Sequence, residues 1–293
     1  MTTESSVPHS DEPMTGSTNP LAVPAPTDAA STTDAATVLP SVVESTSTST
    51  LTSILDVAPI AAIAETTLAA APTAAVELVG PLDPPVEAVG HADGPATKVV
   101  QARLLQLGFW NAGVDGDFGL TTKQAVMAFQ KYVGLAATGE VDDVTAATLS
   151  TTVERVRGAA DTGNLIEIDK RRQLLFIVRD GKTVWALNTS TGNGLPYEQE
   201  DVNTPGAVVR GVALTPDGLW KVDRERPEGW WEGDLGEIYR PKYFRGGIAV
   251  HGSNAVPNYA ASHGCVRVSV PAMNFIWDQD LMALGTPVWV HTG

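Results

Sequence analysis

The chain has 293 residues and a formal net charge of −15, with 34 acids against 19 bases. Residues 1–97 hold twelve of those acids and no base, so the remainder is close to balanced at 22 acids and 19 bases. No basic stripe exists to neutralise phosphates, which excludes nucleic acid as a partner.

The same 97 residues contain twelve of the twenty prolines and no Phe, Trp or Tyr. That composition buries too little apolar surface to offset the entropy of ordering the chain. Residues 1–94 are therefore expected to form a disordered, acidic Ala/Thr/Pro-rich tail. Its most apolar run, residues 54–65, is broken by Asp56 and Pro59, ends on Glu65 and has no basic segment before it. It reads as neither a signal peptide nor an integral membrane span, and a marginal Ala-rich helix is the plainer reading.

From Pro95 the pattern changes. Val100, Leu104 and Leu107 form a helical stripe that Gly108 stops. Residues 109–119 make a Gly/Asp-rich loop. A second helix is capped by Leu120-Thr121-Thr122, carries Ala125, Val126, Phe129 and Val133 at helical spacing, and stops at Gly134. Asp142-Asp143 opens a short third helix through Leu149, with its acids at the positive end of the dipole. The loop Val114-Asp115-Gly116-Asp117-Phe118-Gly119 lacks the ligand set and closing Glu of a calcium loop and reads as a structural turn, with Phe118 beneath the helices.

Residues 95–150 resemble the peptidoglycan-binding domain type 1. The matching residues are Val100-Gln101-Ala102-Arg103-Leu104, the Val114–Gly119 loop, Ala125-Val126 with Ala128-Phe129-Gln130, and Thr138-Gly139. The resemblance implies a small three-helix bundle that binds glycan strands or stem peptides.

Residues 151–163 read as a polar linker, and from Asn164 the period becomes two. Leu165–Asp169, Gln173–Val178 and Thr183–Leu187 read as strands, the last two joined by an Asp180-Gly181 hairpin turn. Both faces of Leu174–Val178 are apolar, which places that strand in a sandwich or closed sheet. Thr189-Ser190-Thr191-Gly192 is a turn, and the stretch after it is irregular to about Arg210. Thr215-Pro216-Asp217-Gly218 turns into a strand at Leu219–Val222. Trp230 and Trp231 either wall a site or simply pack on the sheet. Gly247–Val250 is a strand that ends on His251. A single helix is expected within Pro271–Leu284, and Thr286–Val290 closes the fold as a strand.

Cys265 is the sole cysteine, so no internal disulfide is possible. His263 lies two residues before it and His251 twelve residues before that, with Arg267 close behind. A thiol near pH 7 is a few per cent thiolate, and an adjacent imidazole raises its activity if a third group fixes the tautomer. Residues 248–267 contain no Asp or Glu, so a backbone carbonyl beside His251 is a candidate orienter. Gly264 brings the main chain close to a substrate. A zinc site made of His251, His263 and Cys265 with an open position is an alternative, and an inert buried thiol is another.

The pattern from His251-Gly252 to Ser262-His263-Gly264-Cys265-Val266-Arg267 resembles the active-site signature of the YkuD-type L,D-transpeptidases. Thr189–Gly192, Thr215–Gly218, Tyr243-Phe244 and Gly285–Val288 support it. Residues 164–292 are then a mostly-β catalytic domain, sandwich- or barrel-like, with one or two short helices, in a multidomain chain. The resemblance implies that Cys265 is the nucleophile, His251 its proton acceptor and donor, and the Gly252 carbonyl its orienter. His263 and the Gly264 amide line the oxyanion side, while Ser262, Arg267 and Tyr243 contact substrate. It implies attack on a tetrapeptide stem of peptidoglycan, loss of D-alanine and a 3→3 cross-link, with no cofactor and no metal. Water or a protein amine as acceptor are alternatives, as is a non-catalytic wall-binding role. The implied location is the cell envelope.

Overall fold

The computed structural model describes residues 77–293. The apolar run 54–65 and the rest of the expected tail up to residue 76 lie outside the described residues. Residues 77–94 differ from the expectation of disorder. The Val79 and Leu82 amides donate to the Val153 and Ser150 carbonyls, Gly90 and Val141 exchange backbone hydrogen bonds, and Val86 is buried. A segment without aromatics still packs here, because a few aliphatics cover a third helix whose end supplies acceptors.

Three helices follow: α1 (Pro95–Leu107), α2 (Leu120–Val133) and α3 (Asp143–Thr151). Gly108 and Gly134 close the first two in the left-handed conformation that glycine adopts without strain. Asp142 caps the third by accepting from the Thr145 amide. The residue capping α2 is Gly119 rather than a threonine, since Thr122 points inward to accept a hydrogen bond from Gln101 Nε2 at 3.0 Å. Among the described residues no helix is long and apolar enough to cross a membrane.

The rest is mostly β. A first sheet has the order β3-β2-β1-β12-β6, from Lys182–Asn188, Leu174–Arg179, Leu165–Asp169, Pro287–His291 and Gly218–Lys221. Asp180 and Gly181, both at positive φ, make the two-residue turn between β2 and β3. A second sheet has the order β11-β10-β9-β7, from Val266–Ser269, Ile248–Ser253, Gly236–Arg245 and Arg224–Glu225, with β8 (Trp230–Gly233) also paired to β9. The stretch expected to be irregular contains a separate hairpin, β4 (Pro196–Glu200) with β5 (Val208–Val212). One further helix, α4 (Val270–Asp278), starts at the Ser269 cap.

The central strands of the first sheet are buried on both faces, while the edge strand β6 leaves Leu219 exposed. Ile166, Ile168, Leu175, Ile177, Val288 and Val290 meet Val250, Val266, Val268 and Phe244 of the second sheet, with Met273 and Ile276 of α4. The opposite face, through Leu174, Phe176, Val178 and Ala186, shares one core with Leu104, Leu107, Phe109 and Phe129 of the helical segment. The alternation of β2 therefore serves two different partners.

Residues 151–163 are correspondingly not a solvated linker. The Glu167 carboxylate, fully buried on β1, accepts the Ala159 and Ala160 amides at 2.8 Å each and lies 3.0 Å from His291 Nε2. Gly158 packs directly on it: a Cβ there would fall 2.3 Å from Glu167 Oε2.

Two consequences are measurable. Truncating buried Phe176 to Ala should cost about 3–5 kcal/mol in denaturant unfolding of the full chain. Residues 164–293 produced alone should unfold at a lower denaturant concentration than the full chain and bind an apolar dye, because the outer face of the sheet is bared. An isolated segment with the full chain's midpoint would show that the shared core contributes nothing.

Candidate active site

Cys265 sits at the end of a tightly held loop. Ser262 Oγ donates to the Cys265 carbonyl and accepts the Gly264 amide at 3.0 Å. Gly264 has φ +138°, and a Cβ there would stand 3.0 Å from the Leu214 carbonyl oxygen. The Gly264 carbonyl accepts from Thr215 Oγ1 at 2.6 Å, and the same hydroxyl accepts the Gly192 amide at 2.9 Å. Ser190 exchanges backbone hydrogen bonds with Arg267, and the Thr191 carbonyl takes the amides of Ala261 and Ser262. The 189–192 turn and Thr215 are therefore the frame that shapes the loop.

Two of the expected site residues are engaged within the loop. The Gly264 amide is engaged by Ser262 rather than directed at a substrate. Ser262 is buried and uses its hydroxyl twice within the loop, so it shapes the loop instead of offering a free hydroxyl to a ligand.

β10 carries His251 to the same place. The ring is buried, and Nδ1 donates to the Gly252 carbonyl at 2.8 Å, which leaves Nε2 as the bare nitrogen. Burial drives the His251 pKa down to about 4, opposed by that carbonyl and assisted by the Arg267 charge. Burial also pushes the Cys265 thiol up, against a hydrogen bond from the Ala249 backbone and the Arg267 charge. The pair at rest is thus a neutral thiol and a neutral imidazole. His263 is lowered as well, by burial and then by Arg267. Arg267 stands opposite His251 in the parallel β10–β11 register. Among the described residues its guanidinium makes no ion pair and no hydrogen bond.

A cavity of about 500 Å³ opens over these groups, and Cys265, His251, His263, Tyr243 and Arg267 all line it. Cys265 itself is half-buried, with its thiol 3.7 Å from the Gly247 carbonyl. Part of the roof comes from the stretch after the 189–192 turn that reads as irregular in the sequence. Tyr197 and Val209 of the β4–β5 hairpin line it, with Tyr197 edge-on to His263 at 4.7 Å between centroids. The turn between β8 and β9 lines it from the other side. The two hairpins touch: the Val202 amide donates to the Asp234 carbonyl at 3.0 Å, and Asn203 Nδ2 to Asp234 Oδ1 at 3.1 Å. Of the two tryptophans, Trp230 packs on Tyr239 and Trp231 lies under Arg226, and neither lines the cavity, so the adjoining turn forms the wall. Arg224, 3.9 Å over the Tyr243 ring, adds a second cation to the lining.

Among the described residues no three His, Cys, Asp or Glu side chains are grouped to hold a metal ion. The arrangement suits proton transfer and attack by a thiol on an anionic ligand.

Comparison with known proteins bears on the family of the chain. The L,D-transpeptidase catalytic domain model matches residues 163–290, and the peptidoglycan binding domain model matches residues 93–149. A crystal structure of the L,D-transpeptidase from Xylanimonas cellulosilytica is 42% identical with a TM-score of 0.62, over 72% of this chain and 100% of that one. A crystal structure of an L,D-transpeptidase from Stackebrandtia nassauensis is 20% identical over 73% of this chain and 97% of that one, with a TM-score of 0.38. The N-acetylmuramoyl-L-alanine amidase CwlM of Mycobacterium tuberculosis is 42% identical over 67 residues, 23% of this chain, and the chain spans 16% of that relative's length. The Xylanimonas structure, matched over all of its residues, and the matched catalytic domain establish that the chain belongs to the YkuD family of L,D-transpeptidases and carries a peptidoglycan-binding domain.

Proposed function

We propose that the chain is a cysteine acyltransferase that cross-links peptidoglycan stem peptides. The observation that carries the reading is the half-buried, sole cysteine facing the same cavity as a buried imidazole whose Nδ1 is committed to a backbone carbonyl. In this reading Cys265 Sγ attacks the carbonyl carbon of the L-to-D peptide bond in a tetrapeptide stem. Its proton passes to His251 Nε2. The C–N bond breaks, His251 returns the proton to the leaving nitrogen, and D-alanine departs from a thioester. The amine of a second stem then attacks, His251 takes its proton, and the thiol is restored as the 3→3 link forms. Because the Gly264 amide is engaged, the Cys265 amide and His263 are the oxyanion donors of this reading. The Arg267 guanidinium, without a partner among the described residues, suits a carboxylate of the stem, and Tyr243 lines the path beside it. Peptidoglycan is the partner, and the cell envelope the place where such stems occur.

The test is incubation of the full chain with disaccharide-tetrapeptide, followed by mass spectrometry. The expected product is a dimer that has lost one alanine, with no effect of chelator and no product from Cys265→Ala. Activity in Cys265→Ala, or its loss to a chelator, would falsify the thiol mechanism. Monomer lacking alanine and no dimer would identify water as the acceptor, and stem attached to a protein amine would identify an anchoring transferase. His251→Ala should slow acylation by roughly 10²–10⁴-fold, the range typical of a lost general base, with a smaller loss for His263→Ala.

The neutral resting pair sets a pH signature. His251 is lowered to about 4, so it stays unprotonated on acidification through the usual imidazole range. The acylation rate should hold level down to about pH 5 and decline only near 4. The raised thiol should give iodoacetamide alkylation that climbs with pH beyond the ordinary thiol range. A decline of acylation centred near the ordinary histidine value would mean that His251 is solvated in solution.

A further inference from the structure

Helix α2 belongs to the peptidoglycan-binding segment, yet two of its side chains end on the backbone that frames the Cys265 loop. Gln124 Nε2 donates to the Val256 carbonyl at 3.1 Å, and its Oε1 accepts from Asn188 Nδ2 at 2.6 Å. Val256 lies in the segment that joins His251 to Cys265, and it is buried. Two residues on, Asn258 Nδ2 donates to the Ala137 carbonyl at 2.7 Å, a second tie from that segment to the helical part. Two turns further along α2, Lys131 Nζ donates to the carbonyls of Gln173 at 3.1 Å and Thr189 at 3.3 Å.

Both anchor points lead directly to the site. Thr189 Oγ1 donates to the Arg267 carbonyl at 2.7 Å, and Ser190 pairs with Arg267 through the backbone. Ser190 Oγ also donates to the Tyr259 carbonyl at 2.8 Å, joining the two framed segments to each other. Gln173 fixes Thr191 from both sides, accepting its amide at 2.8 Å and donating to its hydroxyl at 2.8 Å. Lys131 makes these contacts without a carboxylate partner among the described residues. Burial brings its pKa down to about 7. An apolar side chain of the same length would lack both carbonyl contacts.

We propose that Gln124 and Lys131 are positioning residues for acyl transfer at Cys265, which makes the peptidoglycan-binding segment part of the active-site framework rather than a tethered accessory. This rests on the reading of Cys265 as the nucleophile. Neither residue lines the cavity, so each acts only through the segments it holds.

The test uses the full chain, with imipenem as an acylating probe read by mass spectrometry and iodoacetamide as a probe that needs no alignment. Gln124→Leu and Lys131→Met keep bulk and remove the polar contacts. Each should slow acylation by about 10-fold, a misplacement effect, while the alkylation rate and the near-ultraviolet circular dichroism stay at wild-type values. Lys131→Arg, which keeps a donor, should recover acylation to within about threefold of wild type. Wild-type acylation in Gln124→Leu and Lys131→Met would overturn the proposal. So would acylation that falls only in step with the dichroism signal, since the role would then be general stability. Absence of acylation in the unmodified chain is a different result: it removes the nucleophile reading and the positioning role with it.

Discussion

The constraint on which the rest depends is a five-stranded sheet whose central strands are covered on both faces. Its inner face closes against the second sheet and α4, and its outer face closes against α1 and α2 through Leu174, Phe176, Val178 and Ala186. Strands buried on both sides cannot slip in register without moving apolar side chains to the wrong partner. That rigidity passes to the site, since β3 runs straight into the 189–192 turn that holds Ser262 and Arg267. The same double burial turns the residues between the helices and the sheet into packed structure, with Glu167 satisfied by the amides of Ala159 and Ala160.

Within that frame the site is built mostly from main chain. Of the groups that fix the Cys265 loop, the Thr215 hydroxyl, the Ser190 backbone and the Thr191 carbonyl reach the backbone of the loop and its flanks. The His251 orienter is likewise a carbonyl, that of the next residue. A neutral acceptor leaves the imidazole without a compensating negative charge. Burial therefore wins, and the ring stays neutral where an adjacent carboxylate would have raised its pKa. In the proposed reading, proton transfer then accompanies attack instead of preceding it.

What was legible in the sequence was local. Asp180-Gly181 between two apolar runs, the glycine stops of α1 and α2, and the spacing from His251 to Cys265 each depend on a few adjacent residues. The β4–β5 hairpin was illegible because its strands stand clear of the sheets and alternate exposed with only half-buried positions, so Pro196–Glu200 shows no apolar period. Residues 77–94 misled for the opposite reason: composition measures the average of a segment, and Val86 with Leu82 and Val79 suffices to seat it on a core that others build. The doubly apolar β2 signalled a covered strand but not the identity of its second cover. The ties from α2 to the site leave no local trace at all. Gln124 and Val256 stand 132 positions apart, and a polar residue on a helix looks solvated until its partner is in place.

Arg267 shows how the electrostatics and the cavity fit together. Its charge lowers the pKa of Cys265 and of His251 alike. The first effect favours the thiolate and the second disfavours the imidazolium, so the two oppose each other in any transfer of a proton between the pair. A guanidinium placed there does little to drive that transfer. Its donors nevertheless have no partner among the described residues and line the wall of the cavity, where an anionic group can reach them. In the proposed reading that group is the stem carboxylate. Its arrival would offset part of the Arg267 field on both groups, while burial remains the main reason that the imidazole is neutral.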